Sequence, residues 1–429
     1  MIRQFSLLLS SQAILALVGV ATVPVLFRNL GAELYGEYST YLLLVGMLVH
    51  LDFTRPLLIR EMAGGVVPPH RDALASLSLL NTLLLTAAAV VSGLLLLGPA
   101  AALAGGLTLL CNGLSMPRYA WLVGADRIGA TGVVRNSLWS AALAGAAAAS
   151  FFTSSEHAWL WGFAAANAAT LVVYGRLVAR AGAAAHPPPV AWRGAIAPYG
   201  RNARDLALFG AAMLVLHAAD RFLLKPFASE QDFGAYMGAA DLVLKANILS
   251  LAFGNTLYPV LARRVRDDGA AAADRWFGRV LTRIAGFGGV AALAGLVLLA
   301  PVARLLLGPD AVPSLPLIPV FVAGVYLQLF GFVIAPWLRA HGAFAAQRRA
   351  YVAGASLMLV GGPILIPAFG LTGAIGTWFL GRAGDALLLG MAMRRLGQEA
   401  YPVRFRRLHL LMLVTLTVAA WALFLREVR

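Results

Sequence analysis

The chain is 429 residues long, 60% hydrophobic and 12% charged, with 44 glycines and a formal net charge of +15. A mean hydropathy of +0.79 excludes a soluble globular domain, and the basic residues fall in short gaps between apolar runs, which excludes a nucleic-acid-binding face. The one cysteine, Cys111, lies inside an apolar run, so neither a disulfide framework nor a Cys/His metal cluster is expected.

Apolar runs near the roughly 20 residues a helix needs to cross about 30 Å of hydrocarbon recur along the whole sequence. In chain order they predict spans at Ser6–Phe27, Tyr38–Ile59, Ala73–Leu97, Ala102–Gly124, Val133–Phe152 and Ala158–Ala179. A second group follows at Leu206–Leu224, Phe233–Leu261, Val280–Leu305, Leu315–Leu338, Tyr351–Ala368, Leu371–Met393 and Leu408–Leu425. The first run continues through Pro24 to Phe27 without a cleavage signal and reads as a retained helix, not a leader peptide. Abundant Gly and Ala suit close helix packing in lipid.

Cations crowd every second gap. The gaps Arg60–Arg71, Arg127 with Arg135, Arg180–Arg204, Arg263–Arg283, Arg339–Arg349 and Arg394–Arg407 are basic. The alternate gaps carry Arg28 with Glu33 and Glu37, nothing at Gly98–Ala101, Glu156 with His157, acids at Ser229–Asp232, Arg304 with Asp310, and the uncharged turn at Gly370. By the positive-inside rule the N-terminus is cytoplasmic. An odd number of crossings then places the C-terminus outside, unless the last run lies in the interface.

The basic gap before the second group contains Pro187, Pro188 and Pro189, a stiff connector. On either side of it a motif repeats: Tyr35-Gly36-Glu37-Tyr38 opens the second span and Phe233-Gly234-Ala235-Tyr236 opens the eighth. Six crossings separate the two copies, so they share one orientation, the parallel-repeat arrangement of transporters with a central cavity. The chain therefore divides into an N-terminal six-helix lobe (1–182), a cytoplasmic linker (183–203), a C-terminal six-helix lobe (204–395) and a basic loop with an extra hydrophobic helix (396–429). The expected fold is an all-α membrane protein with two pseudo-symmetric lobes.

Ionisable residues inside spans are costly and mark function or a structural pair. Asp52 and Arg55 stand in the second span; His217, Asp220, Arg221 and Lys225 in the seventh; Asp241 and Lys245 in the eighth; Arg118 in the fourth; Arg382 and Asp385 in the twelfth. Arg55, Arg221, Lys225 and Lys245 against Asp52, Asp220 and Asp241 make a net positive set suited to an anionic ligand, and the guanidinium fork suits phosphate. Structural readings stand beside this one. Asp241 and Lys245 at i, i+4 fit a neutralising pair, Lys225 fits a snorkelling headgroup contact, and Asp52 with Arg55 fits a helix-end pair. No phosphate-binding G-x-x-x-x-G-K-[ST] loop and no gap long enough for a catalytic domain is present, so an ATPase or other enzyme is not expected.

The order of short motifs resembles a known family. Leu26-Phe27-Arg28-Asn29-Leu30-Gly31 through Tyr38, Asp52 through Arg60-Glu61-Met62-Ala63, Asp220-Arg221-Phe222-Leu223-Leu224 before Phe233-Gly234-Ala235-Tyr236, Tyr258-Pro259-Val260-Leu261, and Gly370-Leu371-Thr372-Gly373-Ala374 carry the likeness. They are similar to signatures of the lipid-linked oligosaccharide (O-antigen) flippases of the multidrug/oligosaccharidyl-lipid/polysaccharide exporter superfamily. Phe53-Thr54 departs from the glycine that often follows the aspartate there, and Leu408–Leu425 lies beyond the family's twelve-helix core.

The resemblance implies two six-helix lobes forming a V-shaped cavity in a bacterial cytoplasmic membrane. It also implies alternating-access transfer of polyprenyl-pyrophosphate-linked glycan to the outer leaflet for O-antigen, lipopolysaccharide or other surface polysaccharide. By carry-over Arg55, Arg221 and Lys245 meet the pyrophosphate. Membrane lipids, a proton or Na⁺ counter-ion through Asp52, Asp220 or Asp241, and a polysaccharide polymerase are the expected partners, with no cofactor. A peptidoglycan-precursor flippase and a drug/cation antiporter of the same superfamily remain alternatives; the antiporter requires an acid surplus in the cavity. A polytopic glycosyltransferase or polymerase is disfavoured because it needs a catalytic loop.

Overall fold

The computed structural model describes residues 2–63, 71–96, 98–125, 127–152, 157–180, 193–245, 247–397, 400 and 402–428. Among these residues all regular structure is helical. The helices are α1 (Ile2–Leu48), α2 (Thr54–Ala63), α3 (Arg71–Leu96), α4 (Pro99–Gly124), α5 (Ile128–Ala149), α6 (His157–Arg180) and α7 (Arg193–Leu224). They continue with α8 (Glu230–Leu244), α9 (Asn247–Asp267), α10 (Ala270–Leu307), α11 (Ile318–Ala340), α12 (Phe344–Leu396) and α13 (Val403–Val428), with 3-10 turns at Val49–Leu51 and Pro309–Leu317. Nine helices among the described residues are long and apolar enough to span a bilayer. The chain is a multi-pass membrane protein. The Pro187–Pro189 run of the expected linker lies outside the described residues, and the linker's last part, from Arg193 onward, is helical as the start of α7.

Nine is fewer than the thirteen runs read from sequence, partly because two helices each take in more than one run. A straight α12 of 53 residues would reach about 80 Å at 1.5 Å per residue. Gly370, at φ 53°, breaks it. A Cβ on Gly373 would run into the backbone of Leu365, eight positions away, which a straight helix would hold about 12 Å apart. The chain therefore doubles back there, at the turn the sequence places between the eleventh and twelfth spans. Gly31, at φ 77°, breaks α1 in the same way.

Two predicted spans are interrupted. The second runs as the end of α1, a 3-10 turn at Val49–Leu51 and then α2. Pro56 explains the break, since its ring lacks an N–H and would strike the carbonyl of Asp52 four residues back in a continuous helix. In the first turn of a restarted helix it is tolerated. The eighth span is divided into α8 and α9, with Lys245 in the turn after α8.

The helices form two compact units: Met1–Thr22 with Tyr41–Leu214, and Val23–Thr40 with Val215–Arg429. In the first, α4 packs on α2, α3 and α6, and α5 on α6. Small residues permit this, since a Cβ on Gly93 would stand 2.6 Å from the Ala102 backbone. In the second unit α11 is the hub, packed on α9, α10, α12 and α13. There the two copies of the repeated motif meet. A Cβ on Gly36 would lie 3.3 Å from Gly234 Cα, and one on Gly234 would enter the backbone of Ala32. The helix beyond the twelve-helix pattern, α13, seats His409 among Phe330, Phe405 and Tyr326, with ring centroids 4.0, 5.3 and 5.8 Å away.

Candidate functional site

Each unit holds a group of the charged residues singled out from the sequence. In the first unit, the end of the interrupted second span places Asp52 just before α2 and Arg55 in its first turn. Asp52 Oδ1 accepts from the Thr54 amide (3.1 Å), the Thr54 hydroxyl (2.5 Å), the Arg55 amide (3.3 Å) and Asn81 Nδ2 (3.1 Å). It satisfies the orphan amides at the start of α2, as an N-cap does, and forms no ion pair with Arg55. The half-buried Arg55 guanidinium lies 5.5 Å from the centroid of the Tyr119 ring.

In the second unit, α7 carries Asp220 and Arg221 into the interior, 1% and 4% exposed. Asp220 Oδ2 accepts from Tyr236 OH on α8 at 2.6 Å. Arg221 pairs with Asp241 on α8 at 3.6 Å. Asp241 also accepts from Tyr35 OH at 2.9 Å and from the Ser39 hydroxyl, both on α1. Asp220 Oδ1 and Arg221 Nε are buried without a hydrogen-bond partner among the described residues. The structure thus brings together Asp220, Arg221 and Asp241 and binds them with two tyrosines from the repeated motif.

Lys245 stands apart from this network. The i, i+4 spacing allows a pair with Asp241, yet Asp241 turns to Arg221, Tyr35 and Ser39, and the half-buried Lys245 makes no ion pair among the described residues. Its amide donates to Asp241 O at 3.0 Å, closing α8 at the interruption. Lys225 is exposed in the turn after α7, where a lysine stem can reach a headgroup. Arg382 and Asp385 are fully buried, paired at 3.3 Å, and Arg382 also donates to Leu216 O at 2.8 Å. This pair ties α12 to α7, which makes it structural in its contacts. No group of three or more His, Cys, Asp or Glu side chains gathers as a metal site among the described residues.

Sequence reasoning missed two participants. Tyr35 and Tyr236 stand out in the sequence only as parts of the repeat, not as carboxylate partners.

No family model matches this chain, and no curated protein matches it in sequence. Solved structures do match in fold. The lipid II flippase MurJ in an inward closed conformation superposes with a TM-score of 0.65 at 11% identity, covering 99% of this chain and 97% of that one. A point mutant of the Vibrio cholerae MATE transporter VcmN gives 0.61 at 13% identity over 93% and 97%. The MATE multidrug transporter DinF-BH gives 0.60 at 15% identity over 93% and 96%. The helices described above are therefore arranged in the two-lobed fold shared by a lipid II flippase and MATE transporters.

Proposed function

We propose that the protein is a flippase that carries a polyprenyl-pyrophosphate-linked oligosaccharide from the inner to the outer leaflet of the bacterial cytoplasmic membrane by alternating access, for surface polysaccharide biosynthesis. The observation that carries this reading is the balance of usable charge. Asp52 is committed to the α2 amides and Asp241 to Arg221, Tyr35 and Ser39, whereas Arg55 and Lys245 form no ion pair among the described residues. A surplus of cations within spans suits a diphosphate. A cation antiporter would want the opposite sign.

The physics of the task fits. Diphosphate and glycan cannot cross hydrocarbon unaided, while the polyprenyl tail need never leave it. Outward movement of negative charge from a negative interior is downhill by roughly 2.3 kcal/mol per charge per 100 mV. Among the three acids considered for proton or Na⁺ coupling, Asp220 alone has a buried oxygen without a partner among the described residues. It is the acid assigned to coupling in this reading.

A second reading, transfer of a lipid-linked peptidoglycan precursor, is favoured by the breadth of the likeness to the lipid II flippase, 99% of this chain. Both ligands present the same diphosphate. Deleting the gene separates the two readings, because a glycan-linked polyprenyl diphosphate should accumulate on the inner leaflet while peptidoglycan synthesis continues. In proteoliposomes, flux indifferent to both membrane potential and ion gradients would reject the coupling part.

A further inference from the structure

We infer that His217 carries a proton in the transport cycle, and that Gln328 and Asn247 relay its protonation to the start of α9 as a reversal of hydrogen-bond polarity beside Lys245. This rests on the proposed flippase reading. It adds to that reading the proton as counter-ion and a carrier that is none of the three acids.

Three helices of the second unit supply one polar side chain each. His217 stands half-buried on α7, within the span that holds Asp220 and Arg221. Gln328 is 2% exposed on α11. Asn247 opens α9, just after the interruption that carries Lys245. Asn247 Nδ2 donates to Gln328 Oε1 at 2.7 Å, and Gln328 Nε2 lies 3.0 Å from His217 Nε2. Polar side chains commonly bond across helices in a membrane, but a trio built only to join helices would satisfy its buried groups. Asn247 Oδ1 is buried with no hydrogen-bond partner among the described residues. Ionisable neighbours along these helices are Asp220 and Arg221 one turn further on α7, Lys245 two residues before Asn247, and Tyr326 two residues before Gln328. From α12, Arg382 of the Arg382–Asp385 pair bonds the carbonyl of Leu216, next to His217.

Amide chemistry gives the line a direction. An amide oxygen only accepts and an amide nitrogen only donates, whereas an imidazole nitrogen accepts when bare and donates when protonated. Gln328 Oε1 is taken by Asn247, so Gln328 Nε2 donates to His217. His217 Nε2 is therefore bare, and the ring is neutral with its proton on Nδ1. A proton arriving at Nε2 makes that atom a donor. Gln328 must then turn its oxygen to the ring and its nitrogen to Asn247. Asn247 turns in response, so that Oδ1 accepts from Gln328 and an N–H stands where the unpartnered oxygen was. Backbone movement is not required, since each amide exchanges two atoms of nearly equal size.

Protonation thus places a positive charge on α7 and a donor in place of an acceptor near Lys245, two changes that favour an anion. By linkage, anion binding and proton uptake favour each other. A proton taken up outside returns inward with the empty carrier and helps the site capture the diphosphate. It leaves to the cytoplasm before the ligand is released outside, so proton and ligand move in opposite directions.

The test uses the full-length protein in phosphatidylcholine nanodiscs, with farnesyl diphosphate as probe. Between about pH 8 and about pH 5 the wild-type affinity should gain at least about fivefold more than that of His217→Gln, a comparison that cancels titration of the probe itself. Glutamine can still accept from Gln328, so the melting temperature of this variant should not change. Gln328→Leu, which keeps the histidine and breaks the relay, should lose part of the gain. NMR spectra of the histidine nitrogens should show His217 neutral with its proton on Nδ1 at the alkaline end and doubly protonated at the acid end. In proteoliposomes an outside-acid gradient should speed wild-type flux, and His217→Gln should lose that response. An equal affinity gain in His217→Gln, a gradient response that survives in it, a neutral ring with its proton on Nε2, or a ring that never titrates overturns the carrier. A full gain in Gln328→Leu overturns the relay. If His217→Gln yields no folded protein, Gln328→Leu and the wild-type spectra decide. Should the carrier fail while a lipid-linked glycan still accumulates on gene deletion, the flippase reading stands without it. If the wild type binds no diphosphate at any pH, both fall.

Discussion

The two units solve the problem of charge inside a membrane in opposite ways. In the second, Arg221 and Asp241 compensate each other at 3.6 Å, and hydroxyls of Tyr35, Ser39 and Tyr236 take up the carboxylate oxygens of Asp241 and Asp220. In the first, Asp52 accepts from the amides at the start of α2, and Arg55 lies over the Tyr119 ring with no ion pair among the described residues. In the one, opposite charges face each other; in the other, Arg55 has an aromatic ring and no ion pair among the described residues. The contrast shows that similar residue types within spans can compensate one another or stand without an ion pair, and that hydrogen-bond partners decide which.

The sharpest way to break this comparison is Arg221→Ala. Transport in proteoliposomes should be abolished. Removing one member of a mostly buried pair also leaves Asp241 uncompensated, which costs about 3–5 kcal/mol and should lower the melting temperature. The double variant Arg221→Met with Asp241→Leu should restore stability and not transport, because an apolar pair of similar volume is often neutral. Transport by the double variant would show that the charges only hold the fold.

Next in size is the glycine contact that joins the repeated motifs. Gly234→Ala places a methyl into the Ala32 backbone, which cannot withdraw as a side-chain tip can. A loss of about 1–3 kcal/mol or more is expected. Gly36→Ala meets Phe233 Cδ1 at 3.2 Å and Gly234 Cα at 3.3 Å, so small shifts relieve it and the loss should be less. Thermal melts of the two variants rank them, and equal losses would refute the asymmetry.

Much of this architecture was legible in the sequence, because a membrane span advertises itself as an apolar run and a turn by its glycine, as at Gly370. The two-lobed class and the multi-pass topology follow from those local signals. Charge partners were not legible. Spacing reports neighbours on one helix and so could offer Asp241 only Lys245 as a local partner; its partners come from α7 and from residues 35 and 39, about 200 positions earlier in sequence. Pro56 accounts for the interruption at Asp52 once the structure shows it, but nothing in the spacing tells that the carboxylate caps the restarted helix.

Asp52 separates capping from ion coupling at modest cost. Asp52→Ala removes an acceptor from the start of α2 and should cost about 1 kcal/mol, whereas asparagine caps about as well as aspartate. Asp52→Asn should therefore keep both the melting temperature and the response of flux to proton or Na⁺ gradients. Loss of that response with stability intact would return Asp52 to the coupling machinery and leave the first unit with an acid in use.

Lys225 marks the lower limit of the comparison. It carries the same charge as Lys245, but it is exposed after the end of α7, whereas Lys245 is half buried at the interruption between α8 and α9. Water or lipid headgroups can solvate the first, so Lys225→Ala should alter stability by no more than about 0.5 kcal/mol, with transport close to the wild-type rate. Lys245→Ala should reduce transport severalfold, because a cation inside a span without a carboxylate partner among the described residues is available to the ligand. Parallel initial rates for the two variants decide between position and charge, and equal effects would mean that total positive charge, not its place in the helix, governs transport.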